Sequence, residues 1–98
     1  MAILLKPAQA GTLESGDIMV TLLPAESGAG VAVELESIVL LQYGSAIRRT
    51  ANEVLAAAGI ADATLRLVDR GALDCTIRAR LKAAIARACA GEGGEANA

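Results

Sequence analysis

The stretch "DIMVTLLPAESGAGVAVELES", residues 17–37, decides how the rest of the chain is laid out. It opens with alternation. Ile18, Val20 and Leu22 take one side and Met19, Thr21 and Leu23 the other, the two-residue period of a half-buried strand. Pro24 ends the run, because its ring fixes φ and leaves no N–H to donate. "PAESGAG" reads as a loop from its Gly, Ser and Pro content. "VAVELES" then alternates again, with Val31, Val33 and Leu35 inward and Glu34 and Glu36 outward. Two alternating runs joined by a glycine-bearing loop predict an antiparallel hairpin with a loose connection.

Downstream the period changes from two to about 3.6. Tyr43, Ile47, Ala51, Val54, Leu55 and Ala58 fall three and four apart, predicting a helix that begins between Leu40 and Ser45 and closes at Gly59 as its C-cap. "DATLRLVD" at 62–69 returns to alternation, with Ala63, Leu65 and Leu67 on one face. Arg70-Gly71 turns the chain. Leu73, Ile77, Leu81, Ile85 and Ala88 mark a second helix ending at Gly91, supported slightly by the Asp74–Arg78 pair four residues apart. Upstream, residues 1–16 read as a lead segment that closes in a turn. Residues 17–90 read as a single domain, and "GEGGEANA" at 91–98 as a polar tail with nothing to bury and hence disordered. The expected order is β-β-α-β-α, an α+β fold in which two helices cover one face of a three-stranded sheet as a two-layer sandwich. Met19, Thr21, Leu23, Glu34, Glu36, Arg66 and Val68 are expected on the other face.

Ninety-eight residues, 54% of them hydrophobic, fit one small domain with a real core. That core is aliphatic, since the chain has no Phe or Trp and Tyr43 is its only aromatic residue. Net charge is −2 with both signs interspersed. No basic stripe is present, which argues against a nucleic-acid partner. No apolar run approaches the roughly 18 residues that would suggest a membrane span. Ala8-Gln9-Ala10 looks like a signal-peptidase site, but the apolar segment Ala2 to Leu5 is too short and no basic region precedes it. A cytoplasmic chain is expected. Cys75 and Cys89, on one helix, would stand about 20 Å apart, beyond disulfide reach. With no His and no CxxC, a zinc or Fe–S site has no ligand set. Two free thiols agree with a reducing compartment.

The inventory is poor for catalysis. No His is available for proton transfer near neutral pH. Glu34 and Glu36 share a strand face, but adjacent acids on a strand are ordinarily a solvated surface. Gly28-Ala29-Gly30 precedes a strand, whereas a phosphate-binding glycine loop precedes a helix. Cys75 projects about 160° from Ile77 on a helical wheel, and Cys89 lies at the edge of the apolar stripe; both read as incidental small residues rather than reactive thiols. Ser15 has a different address. In "GTLESGDIMV", residues 11–20, it occupies a glycine-containing turn directly before a strand, between Glu14 and Asp17. With no base to activate it, its hydroxyl cannot be a hydrolytic nucleophile. It is either a plain turn residue or a hydroxyl that another enzyme modifies.

Three segments resemble one known family. "GTLESGDIMV" at 11–20 resembles the attachment segment of the citrate lyase acyl carrier proteins, the gamma subunits of that complex. "ELESIVLLQYGSAIR" at 34–48 resembles their strand-to-helix passage, and "DRGALDCTIRARLKAAIARA" at 69–88 their C-terminal signature. The likeness runs from about Gly11 to Ala90 in the family's order and spacing. It implies that Ser15, the Ser of "LESGD", carries a phosphoribosyl-dephospho-CoA arm through a phosphodiester, attached by a holo-carrier-forming transferase. It further implies that the arm's thiol shuttles acetyl and citryl thioesters between an alpha subunit, which exchanges acetate for citrate, and a beta subunit, which releases oxaloacetate. The chain itself would then be a non-catalytic carrier. Glu14 and Asp17 are read as charges that hold the anionic arm off the scaffold. The carrier subunit of malonate decarboxylase, which uses a related arm, is the nearest alternative. A non-carrier module docking through its open sheet face is another. Helical-bundle carriers, whose Ser opens a helix in a D-S-L motif, do not match.

Overall fold

A computed structural model describes residues 4–38 and 40–89. The elements are strands β1 (Ala8–Gly11), β2 (Ile18–Pro24) and β3 (Val31–Ser37), helix α1 (Leu40–Ala57), strand β4 (Ala63–Asp69) and helix α2 (Asp74–Cys89). The fold is α+β: a mixed four-stranded sheet and two helices. The expected helix stop at Gly91 and the polar tail lie outside the described residues.

Two expectations are corrected. The sheet has four strands, in the order β1-β2-β4-β3, so the element order is β-β-β-α-β-α rather than β-β-α-β-α. The residues 17–37 hairpin does not exist. β4 lies between β2 and β3, antiparallel to the first and parallel to the second. The reason is burial. Ala63, Leu65 and Leu67 of β4 are almost completely buried, and a central position pairs both edges of this most deeply buried strand. The "PAESGAG" loop accordingly spans the width of β4. Its end is fastened to that strand by Gly30 N–H donating to Asp62 Oδ1 (2.8 Å) and Ala63 N–H donating to Gly30 O (3.0 Å).

β1 falls inside what reads as a lead segment. "AQAG" has neither β-branched nor aromatic residues, so propensity does not mark it. Partners do: Ala8, Gln9, Ala10 and Gly11 pair with Leu22, Thr21, Val20 and Met19. Ala10 is buried, and Arg87 of α2 donates from Nη1 to Gln9 O at 2.6 Å.

One aliphatic core joins the inward faces of the strands (Ile18, Val20, Leu22, Leu65, Leu67) to the helical stripes (Ile47, Ala51, Val54, Leu55; Ile77, Leu81, Ala84, Ala88). Tyr43 and Leu73 do not join it, contrary to the stripes on which the sequence puts them: they are 55% and 70% exposed. Tyr43 sits in the first turn of α1 and Leu73 just before α2, past the last residues of β3 and β4, so no strand lies beneath them. Asp69, also buried, pins this crossing. Its carboxylate accepts Ser37 Oγ–H (2.8 Å), Gly71 N–H (3.2 Å) and Ala72 N–H (3.0 Å).

The register gathers one end of the molecule. Ile18 and Ser37 both lie opposite Asp69, and Gly11 lies opposite Met19. The end of β1, the start of β2, the ends of β3 and β4 and the starts of both helices therefore share one pole.

Candidate functional site

Residues 12–17 connect β1 to β2 at that pole. Asp17 N–H donates to Glu14 O at 3.1 Å and Gly16 has φ +83°, the pattern of a type II turn with Gly in its third position. Ser15 takes the second position, at the corner. The turn runs into a β-bulge: Gly16 N–H donates to Arg70 O (2.7 Å) while Arg70 N–H donates to Asp17 O (2.9 Å). Two residues of the β2 side thus face one residue beyond β4, with a positive-φ glycine first, which is the G1 form of bulge. "SGD" is the sequence of that bent strand entry. Ser15 is exposed, and its hydroxyl makes no hydrogen bond among the described residues.

The turn is stapled from both sides. Asp17 Oδ2 accepts the Thr12 hydroxyl (2.7 Å) and Arg80 Nη2 (2.8 Å); Oδ1 accepts Arg80 Nε (3.0 Å) and the N–H of Ile18 (2.7 Å). Thr12 Oγ1 in turn accepts the N–H of Glu14 at 3.1 Å. Arg80 thus grips both carboxylate oxygens from α2, the geometry in which guanidinium–carboxylate pairs are strongest. These bonds, the Arg80 guanidinium foremost, hold the Asp17 carboxyl at about 2, below its ordinary 3.8. Asp17 is therefore a structural anion, its side chain only 14% exposed, and not a free charge repelling an arm. Glu14 stays exposed. Gly11 completes the frame. Its φ is +101°, and a Cβ there would stand 1.8 Å from Ile18 O, so only glycine lets β1 approach β2 this closely.

The other candidates separate from this turn. Glu34 is paired with Arg66 across β3 and β4 at 2.9 Å, on the exposed face. Gly28 and Gly30 lie at the opposite end of the sheet, ahead of β3. Cys75 is an exposed free thiol. Cys89 is half-buried, and desolvation pushes its thiol up from the ordinary value. Among the described residues no group of three or more His, Cys, Asp and Glu side chains could hold a metal ion, and no helix is long and apolar enough to cross a membrane.

Sequence reasoning singled out Ser15 and missed three residues that frame it. Thr12 staples the turn without any mark in the sequence, and Arg80 stands 63 positions from its partner; Arg70 reads as a turn residue. Only the last carried a signal, because a cation beside a glycine turn has no local partner. Arg70 Nε is buried without a hydrogen-bond partner among the described residues. Leu13, Ile38, Tyr43 and Leu73 are all more than half exposed, and they surround the same pole. A groove of about 370 Å³ opens between the helix starts there, lined by Tyr43, Ile47, Thr50 and Leu73 among others.

A small scaffold that holds an exposed, uncommitted hydroxyl on a stapled corner suits a carrier. The family model described as "Malonate decarboxylase delta subunit (MdcD)" of the acyl carrier class matches residues 5–88. The citrate lyase acyl carrier protein of Escherichia fergusonii is 48% identical over 85 residues, covering 87% of each chain. That of Lacticaseibacillus casei is 52% identical over 82 residues, covering 84% of this chain and 79% of the relative. The chain belongs to this family, that of the citrate lyase acyl carrier proteins and the malonate decarboxylase delta subunit. The fold agrees: a chain in a crystal structure of a Pseudomonas malonate decarboxylase hetero-tetramer in complex with malonate superposes with a TM-score of 0.66 at 19% identity, covering 87% of this chain and 89% of that one.

Proposed function

We propose that this chain is the acyl carrier subunit of a citrate lyase, with Ser15 as the anchor of a phosphoribosyl-dephospho-CoA arm. The observation that carries the proposal is the Ser15 hydroxyl itself, exposed at a turn corner and unpartnered, in the "LESGD" segment that matches the family's attachment site. The residues present fit such a group, because a phosphodiester at Ser15 Oγ displaces no existing hydrogen bond. Thioester exchange belongs to the arm's terminal thiol and to the partner subunits.

The chain's own part is positional. Gly16 supplies the φ that bends the turn, the Asp17–Arg80–Thr12 bonds stop it from flexing, and α2 fixes Arg80 to the core. A tether anchored on such a corner raises the local concentration of its thiol at each neighbouring active site without consuming scaffold mobility. The exposed apolar side chains around the pole suit alternate docking on the alpha and beta subunits and on the transferase that loads the arm. The chain acts without catalysis of its own, in the cytoplasm.

The test is direct. Purified protein is incubated with the family's transferase and its activated triphosphoribosyl precursor, then digested and sequenced by mass spectrometry. One adduct on Ser15 is expected, and Ser15→Ala should stay unmodified and fail to support citrate cleavage with alpha and beta subunits. An adduct on Thr12, or cleavage supported by Ser15→Ala, refutes the assignment. The family model's description favours a second reading, a carrier of malonate decarboxylase. Reconstitution with the malonate decarboxylase subunits in place of the lyase pair separates the two.

A further inference from the structure

Arg70 Nε is a buried donor with no acceptor among the described residues. Buried donors are nearly always satisfied, and one left unpaired costs stability unless something absent from the free chain completes it. The obvious partner is ruled out. Asp17 lies directly across the bulge from Arg70, but both its oxygens are already taken: Oδ1 by Ile18 N–H and Arg80 Nε, Oδ2 by Thr12 and Arg80 Nη2. Nor does Asp69 serve, its carboxylate being engaged by Ser37 and by the N–H groups of Gly71 and Ala72. The second cation at this pole, Arg80, is therefore committed to holding the turn, and the Arg70 Nε–H is left without an acceptor among the described residues.

The backbone fixes Arg70 against the attachment turn. Its C=O accepts from Gly16 and its N–H donates to Asp17, so its backbone lies directly against the turn. Ser15 is the next residue outward. Arg70 is half-buried with its Nε covered, so meeting a group on the exposed Ser15 hydroxyl takes an outward turn of the long guanidinium stem, with the strand left in place.

We propose that Arg70 is a phosphate-binding positioning residue: its guanidinium pairs with the non-bridging oxygens of a phosphodiester on Ser15 and so aims the arm away from the turn. This rests on Ser15 carrying the arm. A phosphodiester there keeps one negative charge at all physiological pH values and offers two oxygens at the spacing of a guanidinium fork. The pairing satisfies the orphaned Nε–H, and it gives the arm's first atoms a fixed direction that a lone serine rotor does not.

The experiment uses uniformly ¹⁵N-labelled wild-type chain before and after loading by the transferase, with intact mass and peptide mapping to count and locate the arm. The expected result is one arm on Ser15, a downfield move of the Arg70 Nε–H resonance and slower exchange of that proton with water. The ³¹P resonance of the phosphodiester should differ between wild type and Arg70→Met, with Arg70→Lys between them, since an ammonium restores charge but not the fork. A mass-verified arm on Ser15 with an unmoved Arg70 Nε–H overturns this proposal and leaves the carrier reading standing. An arm found on another residue, or none, overturns both. The wild-type comparison needs no variant, so the proposal is decided even if Arg70→Met fails to fold.

Discussion

Gly11→Ala and Gly16→Ala should differ sharply, although both glycines have positive φ, +101° and +83°. An L-residue in such a conformation costs about 1–2 kcal/mol relative to glycine. At Gly16 that is the whole effect, because a Cβ there meets nothing within 4 Å. At Gly11 the added Cβ lands 1.8 Å from Ile18 O and 2.9 Å from Ile18 C. Both are backbone atoms, which cannot swing aside as a side-chain tip can. Relief requires the end of β1 to peel from β2, and β1 also carries Ala10 into the core. Gly11→Ala should therefore cost on the order of 4 kcal/mol, among the large single-site effects. Urea unfolding followed by far-UV circular dichroism gives the two midpoints, and amide exchange over 18–22 reports whether β1 has detached. Equal midpoints, or unchanged exchange in Gly11→Ala, would refute the argument that close strand approach rather than turn conformation governs this position.

Leu81, 1% exposed under the sheet, should cost about 2–5 kcal/mol when cut to Ala, whereas Ser15→Ala should stay within about 0.5 kcal/mol of wild type; a chemical-denaturation series showing similar losses for the two contradicts the separation of the core from the Ser15 corner. Asp17 supplies a pH test. Its folded pKa of about 2 lies below the ordinary 3.8, so its contribution is complete above the unfolded value and is lost as pH falls through the folded one. The 12–17 turn should remain ordered at pH 3 and loosen near 2, read from the Gly16 and Ile18 amide shifts; in Arg80→Met the transition should move up toward 3.8, and a wild-type carboxyl already titrating there would show that the Arg80 grip is absent in solution.

What the sequence made legible was whatever a single element declares by itself. Period-two alternation located β2, β3 and β4, and period-3.6 stripes located α1 and α2, since each buries one face in the same core. Ser15 was legible for a comparable reason: a short polar residue before a turn glycine and a strand is a local statement, completed by the "LESGD" resemblance. Everything that depended on which element meets which was hidden. β1 has no strand-forming residue and exists because Val20, Thr21 and Leu22 offer it an edge. The hairpin reading failed because alternation says which face of a strand is buried and nothing about its neighbour, and the six-residue connection, 25–30, reaches past an intervening strand as readily as it turns back. The same blindness covers the site. Asp17 looks like a free charge from its neighbours in sequence, and only the packing of α2 over β1 and β2 brings Arg80 to it across 63 positions. Inserting β4 beside β2 also places Arg70 opposite the turn, and in the paired hairpin that position would have been occupied by the β3 side. The carrier corner is thus defined by four segments, 12–17, β2, 70 and α2, of which one is visible as a motif. Long-range pairing builds the pedestal, and the motif marks only the exposed corner on it.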